Sequence, residues 1–250
     1  MKWILPALAA ITLTACQKPA ATLQYKITAT KPHDKECYTQ GLEYFNGRLF
    51  ESGGNYGSST VREVNPETGE VIRKRPMAKN SFAEGITIFN NELWVLTWKE
   101  HTVNVLEPDT FKFLRSHDLK GEGWGLTHDD KQLIMSNGSS TIQFMSPKDF
   151  SVVKTITVKD GSREISQLNE LEYVKGEIYA NLYTTEKIVR FSAETGKVTG
   201  WLDGSALRKR LSTPNRAEVF NGIAYDAKKN RFLLTGKYWP ECFEVEISEK

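Results

Sequence analysis

A short pattern that recurs five times constrains the fold of this 250-residue chain more than any other feature. In each copy the second residue is Gly or Glu, and the residues after it alternate between apolar and polar. The copies occupy residues 40–44, 84–88, 124–128, 169–173 and 221–225. Their spacing is close to 40–45 residues for the first four copies, with a longer gap before the fifth. Self-similarity of this period predicts one supersecondary unit repeated along the chain.

The residues after each copy follow a common order of turns and strands. In the first repeat the turn Asn46-Gly47 precedes an apolar strand at 48–51, and a further strand at 60–65 ends in a Pro- and Gly-marked turn. A last alternating strand closes the unit, as at 152–158 in the third repeat. Four short strands in each unit, separated by turn residues, are typical of a β-propeller. Helical repeats of the same period would show apolar residues every 3.6 positions, and these repeats do not.

The repeats therefore predict an all-β fold, a five-bladed β-propeller with four-stranded antiparallel blades. The fifth repeat ends one strand short, after residues 242–247. Residues 23–30 alternate in polarity and precede the first repeat, so we expect them to supply the missing outer strand and close the ring. The whole of 23–250 is then a single propeller domain.

The phase of the repeat places ten residues from distant parts of the chain at one rim. In a propeller the first strand of each blade lines the central channel, so the start of each first strand lies at the channel mouth. These positions are Gln40, Glu84, Trp124, Asn169 and Asn221. The second strand is antiparallel to the first and returns to the same rim. Its end carries Gly54, Trp98, Asn137, Tyr183 and Lys237.

Such a rim has the composition of a small-molecule site, with aromatic walls and a few convergent polar groups. A lone carboxyl group among aromatic rings, Glu84, favours an enzyme, because desolvation raises a carboxyl pKa towards the range needed for acid–base catalysis. The alternative is a rim that binds another protein, in which the Asn and Gly residues are turn formers only.

Other chemistries have little support in the sequence. The 33 basic and 31 acidic residues give a net charge of +2, which argues against nucleic acid as a partner. His33, His101, His117 and His128 show no metal-ligand spacing and are expected at the surface or in turns. The segment Gly121-Glu122-Gly123 is rich in glycine, but it does not open a helix, so phosphate binding is not expected there.

The N-terminal residues predict export. Lys2 precedes a mostly apolar run that is too short to span a bilayer as a helix. The run ends in Leu13-Thr14-Ala15-Cys16, which resembles the lipobox of bacterial lipoproteins. By that resemblance, 1–15 is the signal peptide, Cys16 carries lipid, and 16–22 is the tether. Gln17, rather than Asp, after the cysteine favours the periplasmic face of the outer membrane, with membrane contact through the lipid only. An ordinary signal peptide is the alternative.

Cys37 and Cys242 remain after Cys16 is set aside, and they lie near opposite ends of the exported chain. An exported protein can join such a pair in a disulfide. Two buried, unpaired thiols are the alternative, and the sequence does not decide between them.

Taken together, the repeat motifs resemble those of the plant and bacterial glutaminyl cyclases, also called glutamine cyclotransferases. The resemblance covers the chain from about residue 38 to residue 247. It rests on several stretches in the same order, among them 38–44, 51–59, 82–87, 124–127, 168–172, 221–226 and 234–240. The family is built on a five-bladed propeller, in agreement with the repeat count.

The resemblance implies that N-terminal glutamine of peptides or proteins is converted to pyroglutamate with release of ammonia. It further implies Glu84 as the acid–base residue, with no cofactor and no catalytic metal. The other implied site residues are Lys237 as a second catalytic group and Tyr38, Gln40, Trp98, Trp124, Asn169 and Tyr183 as substrate-binding residues.

Two departures from the family pattern lie in the same set of residues. Tyr38 stands where the family often has Phe, and Tyr183 stands where it usually has Trp. The smaller ring at 183 could loosen the pocket or change the preference for the second residue of the substrate. The chain is expected to be a monomer. The competing hypothesis is a non-catalytic propeller lipoprotein that serves as a binding scaffold in the cell envelope.

Overall fold

The computed structural model describes residues 19–250, and within this range nearly all regular structure is β-strand. The predicted signal peptide, the lipidation site Cys16 and the first part of the tether at 16–22 lie outside the described residues. Within the described range, no helix is long and apolar enough to cross a membrane.

The strands follow one another in groups of four, as the repeat predicts. After β1 (Ala21–Pro32), the first group is β2 (Thr39–Phe45), β3 (Arg48–Gly53), β4 (Thr60–Val64) and β5 (Val71–Pro76). The second group is β6 (Ala83–Phe89), β7 (Glu92–Thr97), β8 (Thr102–Leu106) and β9 (Phe113–Asp118). The third group is β10 (Leu126–His128), β11 (Leu133–Met135), β12 (Thr141–Met145) and β13 (Val152–Thr157).

A small hairpin separates the third group from the rest of the chain; its strands are β14 (Lys159–Asp160) and β15 (Arg163–Glu164). The fourth group is β16 (Leu168–Val174), β17 (Glu177–Leu182), β18 (Lys187–Ser192) and β19 (Val198–Asp203). A one-turn helix, α1 (Ser205–Arg208), leads to the last three strands, β20 (Phe220–Asp226), β21 (Arg231–Gly236) and β22 (Glu241–Glu249). Together with β1, these strands are the fifth group.

Each of the first three groups is a separate four-stranded antiparallel sheet, and β1 and β16–β22 form one eight-stranded sheet, apart from the two-stranded β14–β15 hairpin. That sheet divides into two antiparallel halves at a parallel contact between β1 and β19, where Ala21 pairs with Gly200. On its other side β1 runs antiparallel to β22, from the Leu23–Glu249 pair to the Pro32–Glu241 pair. The prediction that the first strand supplies the outer strand missing from the fifth repeat is thus confirmed.

Five apolar clusters lie between successive groups of strands and make the fold propeller-like. Between the first and second groups, for example, Phe50 and Val61 pack with Ile86 and Leu93. Corresponding clusters join the second group to the third, the third to the fourth and the fourth to the fifth. The last cluster packs Leu42 against Leu233 and so joins the fifth group back to the first. The innermost strands β2, β6, β10, β16 and β20 contact one another in the same cyclic order.

The recurring sequence pattern marks a β-bulge in the innermost strands. In β6, regular pairing with β7 breaks between Ala83 and Ile86, which leaves Glu84 and Gly85 outside the ladder. The same break occurs in β2 at Gln40, in β16 at Asn169 and in β20 at Asn221. A bulge re-aims the side chain that it carries. The bulges therefore account for the convergence of residues that are about 40 positions apart in the chain.

The glycine of the pattern is required because the innermost strands approach closely at that point. A Cβ atom built on Gly125 would lie 2.0 Å from the carbonyl oxygen of Asn169 on the next strand, and one on Gly85 would lie 2.4 Å from the backbone nitrogen of Leu126. In the fourth copy Glu170 replaces the glycine. Its buried carboxylate accepts hydrogen bonds from the backbone N–H groups of Leu42, at 3.3 Å, and Ile223, at 2.8 Å.

A substitution at Gly125 should therefore disturb the centre of the fold. Gly125→Ala is expected to lower the free energy of unfolding by about 2–3 kcal/mol, because the methyl group meets main-chain atoms that cannot rotate away. Gly161 is the control, since a Cβ there meets no atom within 4 Å and only its positive φ of 62° opposes substitution. Gly161→Ala should cost about 1 kcal/mol. Urea unfolding of both variants tests this; equal losses would contradict it.

Both remaining cysteines are buried and free. This is the second of the two alternatives left open by the sequence. Burial raises the pKa of the Cys242 thiol to about 12, so this group is a neutral thiol at ordinary pH.

Candidate functional site

A pocket of about 180 Å³ lies where the bulges converge. It brings together all eight residues named from the sequence as catalytic or substrate-binding. Its lining consists of Tyr38, Gln40, Phe82, Glu84, Trp98, Trp124, Asn169, Tyr183 and Lys237. Phe82 was not among the sequence-predicted site residues. Its position directly before β6, two residues from Glu84, was the available signal.

The polar groups of the pocket are almost completely withdrawn from water. The exposed fraction is 4% for Glu84 and 1% for Lys237. The ammonium group of Lys237 donates a hydrogen bond to the side-chain oxygen of Gln40. Its nitrogen also lies 4.2 Å from the ring centre of Tyr38 and 5.6 Å from that of Tyr183. Aromatic faces attract a cation, so the two tyrosines and Gln40 together hold this amine in place.

Burial shifts the pKa values of the acid and the amine towards each other. Desolvation raises the pKa of Glu84 well above its usual 4.5, against the lowering effect of the nearby Lys237 charge. The carboxylates of Glu122 and Glu100 raise that pKa further. Desolvation also lowers the pKa of Lys237 to about 8, although Glu84 and Glu218 oppose this effect. Burial therefore makes Glu84 a stronger base than a free carboxylate and Lys237 a weaker base than a free lysine, as is common at functional sites.

Aromatic rings in edge-to-face contact form the walls. Phe82 lies between Tyr38 and Trp98, with ring centres 6.1 Å and 5.5 Å away, respectively. On the opposite side Trp124 meets Tyr183 at 5.5 Å and an interplanar angle of 74°. Edge-to-face packing of this kind stabilises the relative orientation of the rings. The pocket is thus walled largely by aromatic rings, and its polar side chains are almost completely buried.

The other residues that the sequence places at the rim have different roles. Asn221 is fully buried, and its amide donates to the backbone oxygens of Thr39, at 3.0 Å, and Gln40, at 3.4 Å. It does not line the pocket but supports the strand that carries Gln40. Asn137 accepts hydrogen bonds from Ser139 in its own loop. A Cβ at Gly54 would lie 2.3 Å from the Phe82 ring, so this glycine makes room for the aromatic wall.

The expectation that all four histidines lie at the surface or in turns is wrong for His33. This side chain is buried, with Nε2 2.8 Å from Glu51 Oε1 and Nδ1 2.6 Å from the Trp239 backbone oxygen. Desolvation lowers the pKa of His33, but the attraction of the Glu51 carboxylate and the hydrogen bond that His33 donates to it outweigh this effect and raise the pKa, which favours a buried ion pair. Within residues 19–250 no group of three or more His, Cys, Asp or Glu is arranged to hold a metal ion.

This fold and this pocket define a class of protein: an all-β, propeller-like chain with a small pocket that holds a buried carboxyl group and a buried amine between aromatic rings. Residues 3–247 match the model of the glutamine cyclotransferase family, and the chain belongs to that family. It is 37% identical over 235 residues to an Arabidopsis thaliana protein named glutaminyl-peptide cyclotransferase, an alignment that spans 90% of this chain and 72% of the relative.

Solved structures agree with this assignment. The crystal structure of Myxococcus xanthus glutaminyl cyclase superposes with a TM-score of 0.87 at 31% identity and covers 92% of this chain and 99% of that chain. A protein of unknown function from Bacteroides caccae superposes with a TM-score of 0.50 at 15% identity, over 67% of this chain and 72% of that chain. The second similarity concerns the fold alone.

Proposed function

We propose that this chain is a glutaminyl-peptide cyclotransferase whose catalytic acid–base group is Glu84. The observation that carries the proposal is the buried carboxyl of Glu84, which shares a small pocket with a buried amine and two indoles. In the reaction the α-amine of an N-terminal glutamine attacks its own γ-carboxamide carbon. The new C–N bond closes the pyroglutamate ring, and the original bond to the amide nitrogen breaks to release ammonia. Because the attack is intramolecular, the protein has to orient one residue and move protons.

Glu84 carries the proton between the two nitrogens. As a carboxylate it takes a proton from the attacking amine, and as a carboxylic acid it returns that proton to the departing ammonia. A pKa raised by burial suits both steps, because it makes the carboxylate a better proton acceptor for the attacking amine than a carboxylate in water. Substrate must bind while Glu84 is ionised, so activity is expected to fall as the pH drops below the pKa of Glu84.

Lys237, Gln40 and Asn169 bind the polar atoms of the glutamine side chain and of the tetrahedral intermediate. The Lys237 ammonium, held by Gln40, stabilises the negative oxygen that develops on the γ-carbon. Asn169 Oδ1 is buried and has no hydrogen-bond partner among the described residues. A buried acceptor without a partner is costly, so a substrate N–H at this atom would contribute to binding.

The indoles of Trp98 and Trp124 enclose the glutamine side chain and exclude water from the reacting atoms. Tyr183 occupies the wall position beside Trp124, where the family pattern has a larger indole. The smaller ring leaves more room at that side of the mouth, which would affect the second residue of the substrate more than the glutamine itself.

The five groups of strands form the five blades of a closed propeller in this proposal. The cyclic contacts of the innermost strands and the five clusters between successive groups support it. The parallel contact of β1 with β19 then joins the outer edges of two neighbouring blades, and 23–250 is one domain.

The chain is further proposed to act in the bacterial cell envelope. The motif that ends in Cys16 supports lipid attachment, with residues 16–22 as the tether and Gln17 favouring the outer membrane. The protein would then act as a monomer at the periplasmic face. Labelling with a radioactive fatty acid, lost in Cys16→Ser, would test the attachment.

The purified protein is expected to release one ammonia for each Gln-Ala peptide that it converts to the pyroglutamyl product. Mass spectrometry of the product and an ammonia assay measure this directly. The mechanism uses side chains of the chain only, so activity should survive dialysis against EDTA while the circular dichroism spectrum stays unchanged. Loss of activity with an intact spectrum would contradict the metal-free mechanism.

The second candidate function is a non-catalytic envelope scaffold. It predicts a folded protein that releases no ammonia from any Gln-peptide. Binding of Gln-peptides without turnover would instead indicate a peptide-binding protein that has kept the pocket without the chemistry.

A further inference from the structure

Glu122 links the two tryptophans of the pocket although it does not itself line the pocket. Its Oε2 atom accepts a hydrogen bond from Trp98 Nε1 at 2.8 Å and a second from Trp124 Nε1 at 3.1 Å. The two indoles come from different repeats, about 26 residues apart in the chain. A single carboxylate oxygen thus fixes the distance between the polar edges of both rings.

The loop that carries Glu122 is anchored on both sides. Gly121 adopts a φ of +84°, which glycine tolerates, and its backbone oxygen lies 2.8 Å from His101 Nδ1. A Cβ on Gly123 would come within 2.9 Å of Leu119 and 3.1 Å of Leu96. The glycines on either side therefore allow the chain to turn tightly against the core with Glu122 at the tip.

The other contacts of the indoles fix each ring separately. Trp98 packs against Phe82 and lies under the Lys99 ammonium at 3.9 Å, while Trp124 packs against Tyr183. A Cβ on Gly138 would lie 2.6 Å from the Trp124 ring, so the backbone of that loop backs this indole closely. Glu122 is the contact that the two rings share.

We propose that Glu122 is a positioning residue, which sets the spacing of the two indole walls that hold the substrate glutamine side chain. The proposal rests on the function proposed above and adds to it a residue that touches neither substrate nor reacting atoms. Hydrogen bonds to an ionised acceptor are about twice as strong as those between neutral groups, which suits a carboxylate to this role.

The charge of Glu122 also reaches the acid–base group. The charged groups that act on Glu84 are Lys237, which lowers its pKa, and Glu122 and Glu100, which raise it. Glu100 accepts hydrogen bonds from the Tyr56 hydroxyl at 2.9 Å and the Phe82 backbone N–H at 3.2 Å, but from neither indole. Glu100→Gln is therefore a matched control that removes a similar charge without breaking the link between the walls.

Steady-state kinetics on Gln-Ala should separate the two effects. Glu122→Ala is expected to raise KM about 10-fold, because both indole N–H groups lose their partner, with kcat changed less than about 3-fold. Glu122→Gln keeps an oxygen acceptor and should recover most of the KM. In Glu122→Gln and Glu100→Gln alike, loss of a negative charge lowers the pKa of Glu84, so the acid limb of kcat/KM moves to lower pH.

A double-mutant cycle tests whether Glu122 acts through the indoles. In a Trp98→Phe/Trp124→Phe background the indole N–H groups are gone, so Glu122→Ala is expected to add less than about 2-fold to the KM of that background. An undiminished 10-fold increase there, or an equal KM increase in Glu100→Gln, would overturn the proposal.

Near-ultraviolet circular dichroism of the protein without substrate gives a readout that does not depend on activity. Glu122→Ala should change the tryptophan bands, and Glu100→Gln should leave them as in the unsubstituted protein. If the unsubstituted protein releases no ammonia, the proposed function fails, yet these spectra still show whether Glu122 orders the indoles. An unchanged spectrum in Glu122→Ala would exclude that ordering.

Discussion

Glu84→Gln is expected to reduce kcat for ammonia release from Gln-Ala by about 10²- to 10⁴-fold, the range that general acid–base groups contribute. The substitution keeps the shape of the side chain and removes its capacity to take and return a proton. Residual turnover should come from the oriented substrate and from Lys237. Steady-state assays at saturating peptide measure the loss, and peptide binding should change little, since an amide can still form hydrogen bonds in the pocket.

Stability measurements distinguish a lost proton carrier from a damaged fold. Folding raises the pKa of Glu84, so ionisation of this group opposes folding. The penalty grows as the pH rises above the pKa that Glu84 has in the unfolded chain. Glu84→Gln lacks the penalty and should unfold at an equal or higher temperature at neutral pH, with no gain at pH values where the carboxyl is protonated in both states. A marked loss of stability would contradict this reasoning.

Glu43 provides the matched control for Glu84. It is also a buried carboxyl, 7% exposed, and desolvation raises its pKa to about 7, but it lies outside the pocket and bonds to Thr87 Oγ1 at 2.9 Å. Glu43→Gln should keep kcat within about 3-fold of the unsubstituted protein, because no reacting atom lies beside it. If both Gln variants lose activity equally, burial of a carboxyl in the core rather than chemistry at Glu84 explains the loss.

The sequence predicts the site well because the site is part of the repeat. A bulge needs one residue outside the ladder, and close approach of the innermost strands needs a small residue next to it. The chain provides both at Gln40-Gly41 and Glu84-Gly85, while Trp124-Gly125 shows the close approach alone. The side chain on each bulge is free to differ. The candidate site residues on the bulges therefore occupy positions that can be identified from the sequence repeat.

The parts that the sequence does not predict depend on contacts that the repeat does not encode. Glu122 lies in an irregular loop, and its carboxylate meets the two indoles only in the folded chain. His33 is buried because β1 ends against the Trp239 segment at the far end of the chain, and no local pattern records that contact. Asn221 occupies a predicted rim position, but its amide donates to the backbone oxygen of Thr39 on a neighbouring strand.

Lys237→Met is expected to reduce kcat/KM by about 10²- to 10³-fold, the usual cost of removing one donor to a developing oxyanion. Methionine fills similar space but carries no charge. The pH profile should change in two ways. Without the neighbouring ammonium the pKa of Glu84 rises further, so the acid limb moves to higher pH. The decline on the alkaline side that follows deprotonation of Lys237, with its pKa of about 8, should disappear.

Lys99→Met is the control, since this exposed lysine also lies beside an aromatic ring of the site, with its nitrogen 3.9 Å from the centre of the Trp98 ring. Water screens its charge, so its loss should change kcat/KM less than about 3-fold. Lys237 is 1% exposed, and the low dielectric around it makes its charge act strongly on the carboxyl and on the intermediate. If Lys237→Met moves the acid limb to lower pH, the two groups do not interact as the pocket geometry requires, and the assignment of the oxyanion to Lys237 fails.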